Sequence, residues 1–113
     1  MADIVYINED EGKNRVMNNV KLYVRLLTKF KTDINLNDFL NYADAEDWEK
    51  AQKAIHAIKG TAANLSFAEL FKQSLDVETQ VKGKSLKHES LENLKACFAE
   101  TLVQVERVIA KNG

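Results

Sequence analysis

Apolar residues recur every three or four positions along most of this chain, which is the spacing of an amphipathic α-helix. The longest such pattern predicts a helix over residues 44–65 that begins at Asp44, with apolar positions Trp48, Ala51, Ile55, Ile58, Ala62 and Leu65. A second helix is predicted over residues 18–31, with an inner stripe of Val20, Tyr23, Leu27 and Phe30. The last is predicted from about Ser85 to about residue 111, with a stripe of Leu91, Leu94, Phe98, Leu102, Val105 and Ile109.

Residues typical of helix ends divide the remainder of the chain. Asn8 is the predicted N-cap of a short helix over residues 8–15, because its side chain can accept a hydrogen bond from the first turn. Asn35 or Asn37 is predicted to cap a shorter segment that carries Leu36, Phe39 and Leu40. Ser66 is predicted to cap a further long helix, one side of which carries Phe67, Leu70, Phe71, Leu75, Glu78 and Val81. Gly83 is predicted to end that helix in a left-handed conformation.

Four long amphipathic helices with short connections predict an all-α fold. We expect an antiparallel up-and-down four-helix bundle with short extra N-terminal helical turns, formed by residues 1–113 as a single domain. The chain has no proline and only four glycines, whereas an average sequence of this length would carry roughly 5–6 prolines and about 8 glycines. This scarcity argues against an all-β domain, whose many turns require both residues.

Charge and targeting signals narrow the classes of function. The chain has 16 basic and 17 acidic residues and a net charge of −1, so nothing indicates binding to nucleic acid. No apolar run is long enough for a transmembrane helix, and the basic and apolar regions of a signal peptide are not found. We therefore expect a cytoplasmic protein that does not bind a membrane. The single cysteine, Cys97, cannot form an internal disulfide and is expected to be an inert, partly buried residue.

His56 is placed differently from every other residue that could carry chemistry. At about 100° per residue, the apolar stripe of its helix centres on the opposite side, so His56 is predicted to face outward from the middle of the helix. Its neighbours at helical spacing are Gln52, Lys53, Lys59, Gly60 and Ala63. A glycine inside a helix costs roughly 0.5–1 kcal/mol relative to alanine, and Gly60 would clear space beside the ring. An exposed imidazole next to an ammonium group suits the temporary carriage of an anion such as phosphoryl.

The run from His56 through Lys59 and Gly60 to Asn64 and Leu65 resembles the signature of histidine-containing phosphotransfer (HPt) domains. Further positions resemble the family's opening helix and its later pattern: Gly12, Arg15, Asn19, Leu22, Tyr23, Leu26, Leu27, Phe30, Leu75 and Glu78. The resemblance covers about residues 8–82 by motif and the last helix by architecture. Ser66 departs from it, because many members carry glycine at that position.

The resemblance implies a phosphoryl carrier of two-component signalling rather than an enzyme with a nucleotide site. His56 would accept phosphoryl from a receiver-domain aspartate and donate it to another, Lys59 would stabilise its charge, and Gly60 would give steric access. Gln52, Lys53 and Ala63 are the implied docking contacts, and Asn64 is expected to have a local structural role. No metal or cofactor is expected on this chain, since the family's Mg²⁺ belongs to the receiver. The expected partners are receiver domains and a hybrid histidine kinase. We expect a monomer; a stand-alone protein is favoured, and a domain of a hybrid sensor kinase stays open as the alternative.

Receiver docking also calls for an apolar patch near the histidine, for which the sequence offers Val16, Met17, Val20, Phe67 and Phe71. Two other classes of function stay open: an adaptor that binds receivers or helical partners without phosphorylation, and an enzyme that uses His56 as a general base. No paired carboxylate or partner nucleophile supports the enzyme. His88, in the run of residues 87–89, is expected to be a surface residue, because the two histidines lack the spacing of a zinc site.

Overall fold

The computed structural model describes residues 4–112, and in that range all regular secondary structure is helical. The six helices are α1 (Glu9–Arg15), α2 (Val20–Asp33), α3 (Leu36–Asp44), α4 (Trp48–Leu65), α5 (Ala68–Lys82) and α6 (His88–Asn112). The predicted all-α bundle is confirmed, with α2, α4, α5 and α6 as its four long helices.

Short polar side chains begin most of these helices, as the sequence predicts. The Asn8 side chain accepts a hydrogen bond from the backbone N–H of Glu11 at 3.1 Å. At the start of α3, the Asn35 side chain accepts one from the backbone N–H of Asn37 at 2.7 Å. The second helix begins two residues later than predicted, at Val20, with Asn19 as its N-cap, and it continues to Asp33.

The predicted start of the long helix at Asp44 is wrong. Asp44 is the last residue of α3, and Asp47 is the N-cap of α4 instead, accepting from the backbone N–H of Lys50 at 3.3 Å. Both aspartates suit an N-cap. The apolar side chains of α3 pack on the core, and this packing extends α3 through the position at which local sequence signals begin α4.

Two predicted turn residues behave differently in the structure. Ser66 ends α4 as a left-handed C-cap with φ 61° and ψ 39°, whereas it was expected to be the N-cap of α5. Phe67 occupies that N-cap position with no side-chain hydrogen bond, and it is buried. Gly83 has a φ of −85°, so the predicted left-handed glycine is also wrong; the left-handed residue of this turn is Lys84.

The core is formed by one face of each long helix. The predicted stripe of α4 is confirmed from Ala51 to Leu65, while Trp48 is half-buried at its edge. Four of the six residues predicted on one side of the α5 segment are buried, namely Phe67, Leu70, Glu78 and Val81, whereas Phe71 and Leu75 are exposed. Helix α5 also buries Ser74 and Val77, which the predicted side did not include. Helix α6 buries Leu94, Cys97, Phe98, Thr101, Val105 and Val108, and the predicted positions Leu91, Leu102 and Ile109 are half-buried beside them.

The helices pack in a ring that exposes one side of α4. Helix α4 packs against α5 on one side and α2 on the other, and α6 closes the ring between α5 and α2. Gln52 near the start of α4 meets Glu78 near the end of α5, as expected for antiparallel neighbours joined by a tight turn. The short helix α1 contacts α2 and α4, and α3 packs on α4. Within the described range, no helix has the length and apolar character needed to cross a bilayer.

Candidate functional site

His56 lies at the centre of the exposed side of α4. It is the ninth of the 18 residues from Trp48 to Leu65, and its side chain is 65% exposed. The buried positions of this helix all lie on the opposite side, facing the bundle core. The outward, mid-helix placement predicted for His56 is therefore what the structure has.

A buried carboxylate from the neighbouring helix lies directly beneath the imidazole. Glu78 in α5 is only 2% exposed, and its Oε2 lies 2.9 Å from Nδ1 of His56. The same oxygen accepts a hydrogen bond from Nε2 of Gln52 at 3.2 Å. The other oxygen, Oε1, lies 2.5 Å from Nζ of Lys59. Three residues of α4 thus converge on one carboxylate of α5.

The ionisation of Glu78 decides which nitrogen of His56 carries the proton. Burial by itself would raise the pKa of Glu78, but hydrogen bonds from Lys59, Gln52 and His56, together with the charge of Lys59, lower this pKa to about 2. The carboxylate is therefore ionised at neutral pH and can only accept hydrogen bonds. In the neutral form of the imidazole, Nδ1 of His56 therefore donates its proton to Glu78, and Nε2 keeps its lone pair for another reaction.

The residues predicted to surround His56 divide into two groups. Gln52 and Lys59 turn inward toward Glu78 and hold its position. Lys53 points into solvent and forms an exposed ion pair with Glu49 at 3.5 Å. Of the two lysines, only Lys53 presents its charge fully on the surface. Asn64 is also exposed, and its side chain forms no hydrogen bond within residues 4–112.

Small residues extend the accessible surface along α4 from His56. Gly60, one turn further on, is exposed, and a Cβ built there would meet no other atom within 4 Å. Nothing in the packing requires glycine at this position, and the absence of a side chain leaves the ring open on that side. Ala63, two turns from His56, is half-buried.

Two apolar side chains of α5 flank this surface. Phe71 is 38% exposed and Leu75 is 45% exposed, and Leu75 lies about one turn before Glu78 on the same helix. We call this pair the apolar flank. Among the apolar residues proposed from sequence, Phe67 is fully buried and unavailable to a partner, Val16 and Val20 are half-buried, and Met17 is 91% exposed on the α1–α2 connection.

Glu78 is the site residue that the sequence reasoning did not identify as functional. The sequence pattern puts Glu78 on the predicted apolar side of α5 and within the family resemblance, but it indicates no role for Glu78 at the site. The available signal was its charge, because an ionisable residue is almost never fully buried unless it is paired. A glutamate inside an apolar stripe therefore indicates a buried partner.

Comparison with known proteins gives one match. The family model described as Hpt domain matches residues 25–107, which is well over half of the chain and includes both His56 and Glu78. No curated protein and no solved structure matches the chain.

Proposed function

The chain belongs to the Hpt domain family, and from this we propose that it carries a phosphoryl group on His56 between receiver-domain aspartates of a two-component phosphorelay. Hpt domains act in histidine phosphotransfer, are phosphocarriers rather than kinases, and interact with receiver domains and histidine kinases. One observation carries the finer proposal. It is the 2.9 Å contact between Nδ1 of the exposed His56 and the carboxylate of Glu78, which supports a proton on Nδ1 and Nε2 as the reacting nitrogen.

The transfer step needs no proton to leave the ring. The Nε2 lone pair of His56 attacks the phosphorus of an aspartyl phosphate, a nitrogen–phosphorus bond forms, and the phosphorus–oxygen bond to the aspartate breaks. The aspartate leaves as a carboxylate, and the imidazole gains a positive charge. Because Nδ1 keeps its proton and donates it to Glu78, the negative carboxylate stabilises that charge. The reverse step delivers phosphoryl to a second receiver aspartate.

Gln52 and Lys59 support this step through Glu78. They hold the carboxylate in place, so that the ring orientation and its protonated nitrogen are set before a partner arrives. The positive charge of Lys59 also offsets the charge of Glu78, which would otherwise repel the oxygens of an incoming phosphoryl group. Lys59 thereby contributes to charge stabilisation of the phosphoryl group.

A receiver would dock on the exposed side of α4. Gly60 lets the partner backbone approach the ring, and Lys53, Ala63 and the apolar flank (Phe71 and Leu75) supply polar and apolar contacts around it. In this proposal the Mg²⁺ required for chemistry at the aspartate is held by the receiver. This chain supplies the nucleophile and the docking surface.

The test is transfer from a phosphorylated receiver domain in the presence of Mg²⁺. We expect the wild type and His56→Gln to differ completely in the uptake of acid-labile phosphoryl. The matched control is His88→Gln, which changes the other histidine at an exposed position on α6 and should label like the wild type. Nitrogen NMR of the labelled protein should place phosphorus on Nε2.

Each other outcome rejects part of the proposal. Equal labelling of the wild type and His56→Gln would show that His56 is the wrong residue. If no receiver labels the wild type but some bind it, the protein is an adaptor that works without phosphorylation. Attachment to Nδ1 would contradict the role given to Glu78.

A further inference from the structure

A groove of about 280 Å³ lies between α1 and the turn that joins α4 to α5. Its floor is apolar and built from Ala62, Ala63, Phe67, Ala68 and Phe71, and its α1 side carries Glu11 and Arg15. We call it the α1 groove. Pockets for small-molecule ligands usually span about 300–1,000 Å³, so this groove is slightly smaller than that range and suits one or two side chains.

Ser66 joins the two sides of the α1 groove through its left-handed backbone and two hydrogen bonds to the α1 region. Its left-handed backbone (φ 61°) favours glycine, because other residues crowd their own Cβ there. The hydroxyl of Ser66 gives it a contact that glycine lacks, a hydrogen bond of 2.9 Å to Oε1 of Glu11. The carbonyl of Ser66 accepts a second bond from the backbone N–H of Asn8 at 2.8 Å. Together these bonds attach the start of α1 to the α4–α5 turn.

The same carboxylate oxygen of Glu11 orients Arg15. A guanidinium nitrogen of Arg15 lies 3.6 Å from Oε1 of Glu11, and the Arg15 side chain is about half exposed at the rim of the groove. Within residues 4–112 this is the only ion pair of Arg15. Since a guanidinium has five N–H donors, Arg15 retains donors for an acceptor outside the chain.

We propose that the α1 groove receives an apolar side chain of the receiver domain that docks on His56, and that Arg15 favours receivers with an acidic residue beside that side chain. The inference rests on the proposed function. It adds to that function an anchoring site, the α1 groove, and a residue that selects between receivers, Arg15, both away from the reacting imidazole. Buried apolar anchors surrounded by polar contacts commonly dominate the affinity of protein interfaces.

The location of the groove argues for the receiver as its occupant. Ala63, on the floor, is seven residues from His56 on the same helix, a distance of about 10 Å. A standard interface buries about 800 Å² on each partner, which corresponds to a disc of roughly 16 Å radius. A receiver centred on His56 would therefore cover the α1 groove as well. Phe71 belongs both to the groove and to the apolar flank, so the two surfaces are continuous.

The test compares two phosphoryl donors. A phosphorylated receiver domain that labels the wild type needs to dock, whereas phosphoramidate is small enough to reach His56 without docking. The variants are Ala68→Phe, which fills the groove from an exposed position, Arg15→Glu, which reverses the rim charge, and Ser66→Gly, which removes the hydroxyl but suits the backbone. The matched control is Arg25→Glu, a charge reversal at an exposed position of α2.

We expect Ala68→Phe and Arg15→Glu to lower receiver-dependent transfer by about tenfold, as loss of an interface anchor or charge contact does. Ser66→Gly should lower it by less, and Arg25→Glu should leave it unchanged. Labelling by phosphoramidate should stay at the wild-type rate in all four variants. A scan that replaces each exposed aspartate and glutamate of the receiver with lysine should yield one change that restores transfer to Arg15→Glu.

Two outcomes overturn the inference. Unchanged receiver-dependent transfer in both Ala68→Phe and Arg15→Glu rejects the groove while leaving the proposed function intact. A wild-type dimer in sedimentation analysis that dissociates in Ala68→Phe assigns the groove to a second copy of this chain. If Ala68→Phe fails to fold, as judged by circular dichroism, Arg15→Glu at its exposed position decides alone. Failure of the wild type to label with either donor instead rejects the proposed function.

Discussion

Acid should destabilise this protein mainly through Glu78. Its pKa is about 2 in the folded chain, against an ordinary value of 4.5, because hydrogen bonds from Lys59, Gln52 and His56 outweigh the effect of burial. At a pH between these two pKa values, the Glu78 carboxyl binds a proton in the unfolded chain but not in the folded chain. Stability from Glu78 is therefore fully present above about pH 4.5 and is lost as the pH falls toward 2.

The size of this loss follows from the same two values. The interval from 4.5 to about 2 corresponds to about 3 kcal/mol at 1.36 kcal/mol per pKa unit. The side chain is only 2% exposed, so solvent screening reduces the effect little. A loss of this size is a large part of the total stability of a small domain, which is typically about 5–15 kcal/mol.

The measurement is urea unfolding at several pH values between about 7 and about 2.5. Glu78→Gln removes the ionisation while keeping a hydrogen-bonding side chain of the same shape. We expect it to be less stable than the wild type at neutral pH by about 2–3 kcal/mol, and we expect the two curves to converge near pH 2. Glu89→Gln, an identical change at an exposed position of α6, should run parallel to the wild type.

Lys59 provides a second arm of the same experiment. Lys59→Met leaves a buried carboxylate without its ion-pair partner, which commonly costs about 3–5 kcal/mol. The double variant Lys59→Met/Glu78→Gln removes both charges and should be more stable than Lys59→Met alone. Parallel pH curves for the wild type and Glu78→Gln, or a double variant less stable than Lys59→Met, would refute the buried ion pair and with it the tautomer assigned to His56.

The remaining predictions concern two glycines. Gly60→Ala should stabilise the protein by about 0.5–1 kcal/mol in thermal melts, because the position is helical and its Cβ would meet nothing within 4 Å. Gly60→Leu should fold normally and slow receiver-dependent transfer, and an unchanged rate would remove the steric role of Gly60. Gly12→Ala should instead destabilise by about 1–3 kcal/mol, since its Cβ would lie 2.6 Å from the ring and hydroxyl of Tyr23. That ring is fully buried and its hydroxyl donates to the carbonyl of Leu65 at 3.2 Å, so an unchanged melting temperature would show that Tyr23 can move aside.

The amino-acid sequence by itself determined the helices, most of their ends and the exposure of His56. These depend on interactions between residues at most four positions apart, such as the Asn8 cap and the stripe from Ala51 to Leu65. Gly60 could be recognised from sequence for the same reason, because helix geometry places it one turn from His56. Asp44 and Asp47 both suit the N-cap of α4, and the prediction from sequence placed the cap at the wrong one of the two.

Tertiary structure alone decided which apolar residues of α5 are exposed and what meets His56. The apolar positions of α5 form two overlapping stripes: one includes Phe71 and Leu75, and the other includes Leu70, Val77 and Val81. Local periodicity does not discriminate between them, and only packing against α4 and α6 selects the second. That packing leaves Phe71 and Leu75 exposed, and it brings the buried Glu78 next to His56, 22 residues away in the chain. The proton on Nδ1 of His56 depends on this long-range contact, which no local pattern contains.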